Sequence, residues 1–449
     1  MIKRITFIFS LLIINAFLTK AQTQNLYFPP KTGTVWQTTT PASLGFCPER
    51  IDSLYQFLET HGTKSFILLK DGKIVLEKYF GTFVQDSIWY WASAGKSLSS
   101  FMVGQAQEEG LLNIENPTSQ YLGAGWSSCT PDKEALIKVH NQLNMTTGLD
   151  DNIPATPNVP EPDNCTTPAC LVYKADAGTR WAYHNAPYHL IHNVLEAASG
   201  KTLQQFTKSH VLDRTGMKGI WLDHVMYSRA RDMARYGLLI LAGGRWDTDT
   251  LLHDQAFFYN MVHSSQALNK SYGYLWWLNG QESFMLPSVQ FVFNSELVTN
   301  APPDMFAALG KNDQKIHVVP SKGWVVVRMG NDGGFNGPGG SQVPIVFDNT
   351  MWGYLNALEC TPTAVLTPAD ARLRVWPNPA VTGWNVEMVM PIDRIALYDL
   401  AGRLIVDNQG DGGFKAFLPA ENLGTGVYLV KVVSGETVVW GKVMRVCTR

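Results

Sequence analysis

Ser93 and Lys96 stand three residues apart in WYWASAGKSLSS, residues 89 to 100. On a helix that spacing puts both side chains on one face of a single turn. A serine hydroxyl is a poor nucleophile until a neighbouring base takes its proton. A lysine, with an ordinary pKa of about 10.4, becomes such a base only where desolvation or the positive end of a helix dipole disfavours its cation. A fall of about three pH units takes roughly 4 kcal/mol of differential destabilisation. The apolar Tyr90 and Trp91 just upstream are expected to wall the site and supply it. Two other readings fail on spacing. A phosphate-binding loop needs glycine where Tyr90 stands, and a G-x-S-x-G nucleophile elbow needs glycine where Trp91 stands. Taken alone, Ser-x-x-Lys also fits a helix N-cap serine followed by a solvated lysine.

A second segment, GTRWAYHNAPYHL, supplies Tyr183-His184-Asn185. If it is extended, Tyr183 and Asn185 share a face, since side chains two apart point the same way along a strand. A phenol near a lysine can relay the serine proton to a leaving group, and an amide can orient both lysine and substrate. The same pair also fits a core aromatic and a turn asparagine. No His or Cys cluster has metal-ligand spacing and H-E-x-x-H is absent, so no metal or organic cofactor is implied. Each of the ten histidines is read singly.

These residues need elements to hold them. CPERIDSLYQFLETHG carries apolar residues at helical spacing, with Pro48 near its start and Gly62 past its end. SFILLKDGKIVLEKYF reads as two strands joined at Asp71-Gly72, a hairpin signal. The stripe Leu98, Phe101, Met102 and Ala106 predicts a helix with Ser93 at its beginning and Gly110 at its end. Residues 113 to 270 read as helices and loops, with clear helices at YHLIHNVLEAASG and SRARDMARYGLLILAGG. Strand character returns in SYGYLWWL, MFAALG, KIHVVPS and GWVVVRMG, and the Gly-rich MGNDGGFNGPGG reads as a loop. The pattern predicts an α+β domain: a mostly antiparallel sheet flanked by helices, with a helical subdomain. Past a Pro-containing stretch, short alternating runs between turn signals predict a small all-β sandwich.

With 449 residues and 45% hydrophobic content, the chain can bury a large core and a smaller second one. A net charge of -2 without a basic run sets nucleic acid aside as a partner. The start, MIKRITFIFSLLIINAFLTKAQTQ, reads as a secretory signal peptide over residues 1–21. No segment reaches the roughly 20 apolar residues of a membrane span, so none is expected in the mature protein. Export favours pairing of the six cysteines, and Cys165 and Cys170 in CTTPAC could close locally.

From about residue 45 to 358 the chain resembles the serine β-lactamase and penicillin-binding-protein-like hydrolases, especially their class C β-lactamase, D-aminopeptidase and esterase branch. The carriers are SAGKS, NQLNMTTGLDD, GTRWAYHNAPYHLIHNVLEAASG, RARDMARYGLLILAGGRW, YGYLWW and FAALGKNDQKIHVVPSKGWVVVRMG. The resemblance implies a β-lactamase/transpeptidase-like fold over residues 22–360. It also implies a catalytic set of Ser93, acylated, with Lys96 and Tyr183 sharing proton transfer and Asn185 assisting. The oxyanion would bind the backbone N–H groups of Ser93 and Lys311, and Ala308, Gly310 and Trp276 would contact substrate. Many relatives carry Lys or His where Ala308 stands, to hold a substrate carboxylate; its loss forfeits roughly 1.5–3 kcal/mol for a carboxylate-bearing substrate. That departure favours a small-molecule or peptide-like ester or amide over a β-lactam or D-alanyl peptide. A β-lactamase or carboxypeptidase, and an inactive surface binding protein, are the alternatives. VWPNPAVTGWNVEM, IALYDLAGRLIV and LGTGVYLVKVVSGETVVWGKVMRV resemble the C-terminal sorting domain of the type IX secretion system of Bacteroidetes. This places such a domain at 373–449 after a linker at 361–372, implies the secretion machinery as partner, and implies a secreted or cell-surface product.

Overall fold

The computed structural model describes residues 26–335, 345–360, 373–435 and 437–447. The signal-peptide reading and the linker at 361–372 lie outside the described residues, as does part of the Gly-rich loop. The chain divides into two compact units, Met1–Glu359 and Cys360–Arg449.

In the first unit, helix α1 (Pro48–Thr60) starts on Pro48, whose missing N–H is harmless in a first turn, and buries Leu54, Phe57 and Leu58. Strands β1 (Thr63–Lys70) and β2 (Lys73–Tyr79) are joined at Asp71-Gly72, both with positive φ (49° and 83°), as a two-residue hairpin turn requires. Helix α2 (Gly95–Glu108) is buried at every residue from Gly95 to Ala106, which makes it the axis of the domain. Helix α3 (Asn185–Ser199) belongs to the helical part, and α4 (Ala230–Leu241) lies on the sheet. The chain then gives β3 (Trp277–Leu278), β4 (Phe306–Gly310), β5 (Gln314–Val319), β6 (Trp324–Gly330) and α5 (Ile345–Asn356).

The six strands run β2-β1-β6-β5-β4-β3, with every neighbouring pair antiparallel. Helix α4 comes so close that a Cβ on Gly237 would meet Val325 Cγ1 at 2.4 Å and Ile316 Cγ2 at 3.0 Å. Lys315 and His317 alternate with Ile316 and so point to the opposite face, where both reach Asp348 of α5. The sheet is thus covered on both faces. SYGYLWWL pairs as strand only at Trp277–Leu278: Leu275 takes a positive φ of 61°, which breaks the extension, although Tyr272, Leu275 and Trp276 are buried. Apolar content there reports burial in irregular chain. Cys165 and Cys170 form a disulfide, whereas Cys129 and Cys447 carry free thiols, contrary to the expectation that all six would pair.

The second unit holds two antiparallel sheets. One has β7 (Arg374–Trp376), β8 (Gly383–Glu387) and β11 (Lys415–Pro419); the other has β9 (Arg394–Asp399), β10 (Leu404–Gln409), β12 (Gly426–Ser434) and β13 (Thr437–Arg445). Trp384, Leu397, Leu418, Val430 and Val432 are fully buried in its core. The Asp-x-x-Gly-Arg turn has a physical cause: Asp399 Oδ1 accepts from the backbone N–H of Ala401 and Arg403 at 3.0 and 2.9 Å, and Gly402 takes the positive φ (79°).

Candidate active site

A short 3-10 turn, Ala92–Ala94, runs directly into α2 and carries Ser93. Ala92 has φ of 48°, a left-handed conformation that disfavours a residue with a Cβ by about 1–2 kcal/mol and that packing must hold in place. The packing is visible. Trp91 N–H donates to Met226 O at 2.8 Å, and a Cβ on Gly310 would lie 2.4 Å from Trp91 O and 3.0 Å from Ala94 N. Strand β4 therefore ends in glycine because its backbone presses on the serine turn. The next residue, Lys311, lines the same cavity of about 380 Å³ as Ser93, Lys96, Asn185 and Tyr188.

Lys96 is 3% exposed. Its Nζ lies 3.0 Å from Ser93 Oγ and donates to Asn185 Oδ1 at 2.7 Å. Burial lowers its pKa to about 7, with the charge of Asp163 acting in the opposite direction. The rings over Nζ are Tyr188 at 4.2 Å and Tyr183 at 5.2 Å from their centroids. Tyr90 and Trp91, the walls expected from sequence, are placed elsewhere. Trp91 is fully buried against Tyr236 and donates to Ser228 Oγ, while Tyr90 accepts from Asn312 Nδ2.

Tyr183 and Asn185 do fall on one side, because the intervening His184 is extended (φ -132°, ψ 119°) as it caps α3. Tyr183 stacks on Trp277 at 5.8 Å. Burial pushes its phenol up, the nearby Ser93 hydroxyl lowers it in part, and Asp163 raises it. Asn185 Nδ2 donates to Asp163 Oδ2 at 2.5 Å and its backbone N–H to Asp163 Oδ1 at 3.1 Å.

Three residues named from the sequence take different places. Trp276 is 0% exposed, packed on Tyr236 and Phe306, so a buried indole replaces the expected substrate contact. Ala308 shares the Gly310 face of β4, toward the serine turn, but is buried and offers a methyl group without charge. Gly310 acts through backbone packing. The histidines are not all solitary either. His189 and His224 stack at 4.4 Å beside the cavity, and His192 Nδ1 lies 2.9 Å from His224 Nδ1. Tyr188 Oη, Ser99 Oγ and His192 Nε2 form a chain with contacts of 3.1 and 2.7 Å. Burial lowers all three imidazoles, His189 to about 3. Among the described residues, no group of three or more His, Cys, Asp or Glu is arranged to hold a metal ion.

The Beta-lactamase family model matches residues 58–348. The chain belongs to the β-lactamase family. A second model, described as Secretion system C-terminal sorting domain, matches residues 374–445. PbpX of Bacillus subtilis (strain 168), named as a penicillin-binding protein, is 24% identical over 159 residues, which are 34% of this chain and 39% of PbpX. The match thus spans well under half of that relative. A structure from Bacteroides dorei DSM 17855 named as a β-lactamase aligns over 70% of this chain and 99% of its own, at 16% identity and a TM-score of 0.55. EstCE1, described as a hydrolase with promiscuous acyltransferase activity, aligns over 68% and 98%, at 12% identity and a TM-score of 0.51. Identities this low establish likeness of fold. The β-lactamase/transpeptidase-like domain is the fold of a family of serine hydrolases, and the sorting domain marks export to the cell surface or beyond it. No helix among the described residues is long and apolar enough to cross a membrane.

Proposed function

We propose that this chain is an exported serine hydrolase that works through a Ser93 acyl ester on an ester or amide lacking a carboxylate beside the scissile bond. The observation that carries the reading is the buried Lys96, 3.0 Å from Ser93 Oγ and with its pKa lowered to about 7. At neutral pH a large share of this amine is uncharged. It takes the Ser93 proton as Oγ attacks the carbonyl carbon, and the electron pair of the C=O bond moves to oxygen. Tyr183, whose phenol is pushed up, is a poor phenolate base and a suitable relay, passing a proton from Lys96 to the departing oxygen or nitrogen. The acyl ester remains on Ser93. Water then attacks it by the same steps in reverse, with Lys96 again as base. The N–H groups of Ser93 and Lys311 would hold the oxyanion, and two such donors are worth several kcal/mol in a site closed to water.

Ala308 supports the choice of substrate, since no cation stands at that position to meet a carboxylate. A leader at 1–21 and the sorting domain would bring the product to the secretion machinery and out of the cell. The test is a panel of p-nitrophenyl esters, D-amino-acid amides and nitrocefin, assayed on the wild type and on Ser93→Ala. Short-chain esters should turn over faster than nitrocefin, and the variant should lose that turnover. Comparable nitrocefin hydrolysis would move the reading to a β-lactamase. No turnover, with no labelling by a fluorophosphonate, would leave a binding protein.

A further inference from the structure

Asp163 has no part in the proton transfers above, yet both its oxygens are committed to Asn185. It lies on a 3-10 turn, Pro162–Asn164, just before the Cys165–Cys170 disulfide, in a loop whose Glu161, Asn164 and Thr166 line the cavity. We propose that Asp163 is a positioning residue that locks the Asn185 amide so that Lys96 keeps its lone pair for Ser93. This rests on the acyl-enzyme reading.

A carboxylate only accepts hydrogen bonds, so the amide must turn Nδ2 toward Asp163 and Oδ1 toward Lys96. A neutral amine has two N–H bonds and one lone pair. With Asn185 Oδ1 taking one N–H at 2.7 Å, the lone pair is left to face Ser93 Oγ at 3.0 Å. Were the amide reversed, its NH2 would donate to that lone pair and compete with the serine proton. The Asp163 charge has a second effect, since it opposes the burial that lowers Lys96 and so keeps the base titrating near neutrality.

The other groups facing Lys96 are Ser93 from its own turn and Tyr183, Tyr188, His189 and His192 from α3 and its lead-in. Burial pushes both phenols up and both imidazoles down, so these stay uncharged while Lys96 titrates. Lys311, Glu161, Asp223 and His224 line the same cavity and are unchanged in the variants below.

The experiment is the rate of Ser93 labelling by a fluorophosphonate across the neutral pH range, on full-length wild type, Asp163→Asn, Asp163→Glu and Ser93→Ala, with melting temperatures for each. Asparagine at 163 can present either end of its amide, so Asn185 is no longer locked. Labelling at the plateau should fall about tenfold, the scale of one lost hydrogen bond to a charged group. The acid limb should move to lower pH by about half a unit or more, because a charge that raised Lys96 is gone. Asp163→Glu should restore the wild-type limb. A wild-type profile in Asp163→Asn, or a limb that moves up, overturns the proposal. If Asp163→Asn melts early, Asp163→Glu decides: a wild-type limb supports the lock and a lowered limb overturns it. Labelling that survives in Ser93→Ala defeats the acyl-enzyme reading itself, whereas Ser93-dependent labelling with an unmoved Asp163→Asn profile defeats only this inference.

Discussion

Among the described residues of the large domain two lysines are buried, and their surroundings are opposite. Lys96 is 3% exposed and Lys315 is 0% exposed. Lys315, on the α5 face of the sheet, has Asp313 Oδ1 at 3.1 Å and Asp348 Oδ2 at 3.0 Å, and His317 Nε2 lies 3.1 Å from Asp348 Oδ1. Burial pushes the Asp348 carboxyl up, but Lys315 and His317 outweigh it and hold it below its ordinary range. Around Lys96 the bonding partners are a hydroxyl and an amide oxygen, with Asp163 held behind Asn185. Burial alone therefore does not decide what a lysine does. One clasped by carboxylates ties elements together, while Lys96, given neutral partners, has its pKa lowered to about 7.

The largest expected effect separates the two roles. Lys96→Ala should lower ester kcat/KM by about 10³-fold, the scale of a lost general base, while the chain still melts cooperatively. Equal activity in that variant would leave Ser93 without its base. Lys315→Met should act through stability, costing about 3–5 kcal/mol in a denaturant titration because two buried carboxylates lose their cation. A loss below about 1 kcal/mol, the range of an exposed pair, would erase the contrast.

Lys96 should also leave a mark on stability against pH, and the sign is fixed by its lowered pKa. The unfolded chain holds the Lys96 proton up to about 10.5, whereas the folded chain releases it near 7. Between those values the unfolded state binds more protons, so stability rises with pH. Above the upper value the burial penalty is absent; as pH falls it grows, and it is complete below about 7. The gain across this window should be roughly 2–4 kcal/mol. Lys96→Met should flatten that rise and be the more stable protein at neutral pH, though inactive. Equal slopes in wild type and variant would mean that Lys96 is charged in the folded state.

Much of the candidate site's geometry was legible because it is local. Spacing of three brings Ser93 and Lys96 onto one turn, spacing of two aligns Tyr183 with Asn185, and Asp71-Gly72 makes its hairpin from backbone preference alone. What was not legible comes from chain distant in sequence. Asp163 reaches Asn185 across 22 residues through a loop with no periodicity, and only its place beside CTTPAC hinted at an ordered segment. The rings over Lys96 were misassigned because Tyr90 and Trp91 adjoin the serine in sequence, yet the turn directs Trp91 into the core. Tyr188 could have been found, since Asn185, Tyr188 and His192 recur at i, i+3 and i+7 on one helix face. Trp276 and its neighbours show the converse error, in which a fully buried run of irregular chain carries the composition of a strand.

The smallest expected effect sharpens the comparison most, because it separates the ring of Tyr188 from its hydroxyl. The ring centroid lies 4.2 Å from Lys96 Nζ, while the hydroxyl is hydrogen-bonded to Ser99 Oγ at 3.1 Å. If desolvation sets the state of Lys96, Tyr188→Phe should change kcat/KM by less than about threefold and leave the acid limb unmoved, because the ring remains. Ser99 keeps His192 Nε2 at 2.7 Å, so no buried hydroxyl is left without a partner. Tyr188→Ala, which opens that side to water, should move the limb upward as the cation regains hydration. A limb that moves in the phenylalanine variant would mean that the chain through Ser99 and His192 reaches Lys96 electrostatically. The two buried lysines would then differ in the extent of their polar networks, with dryness secondary.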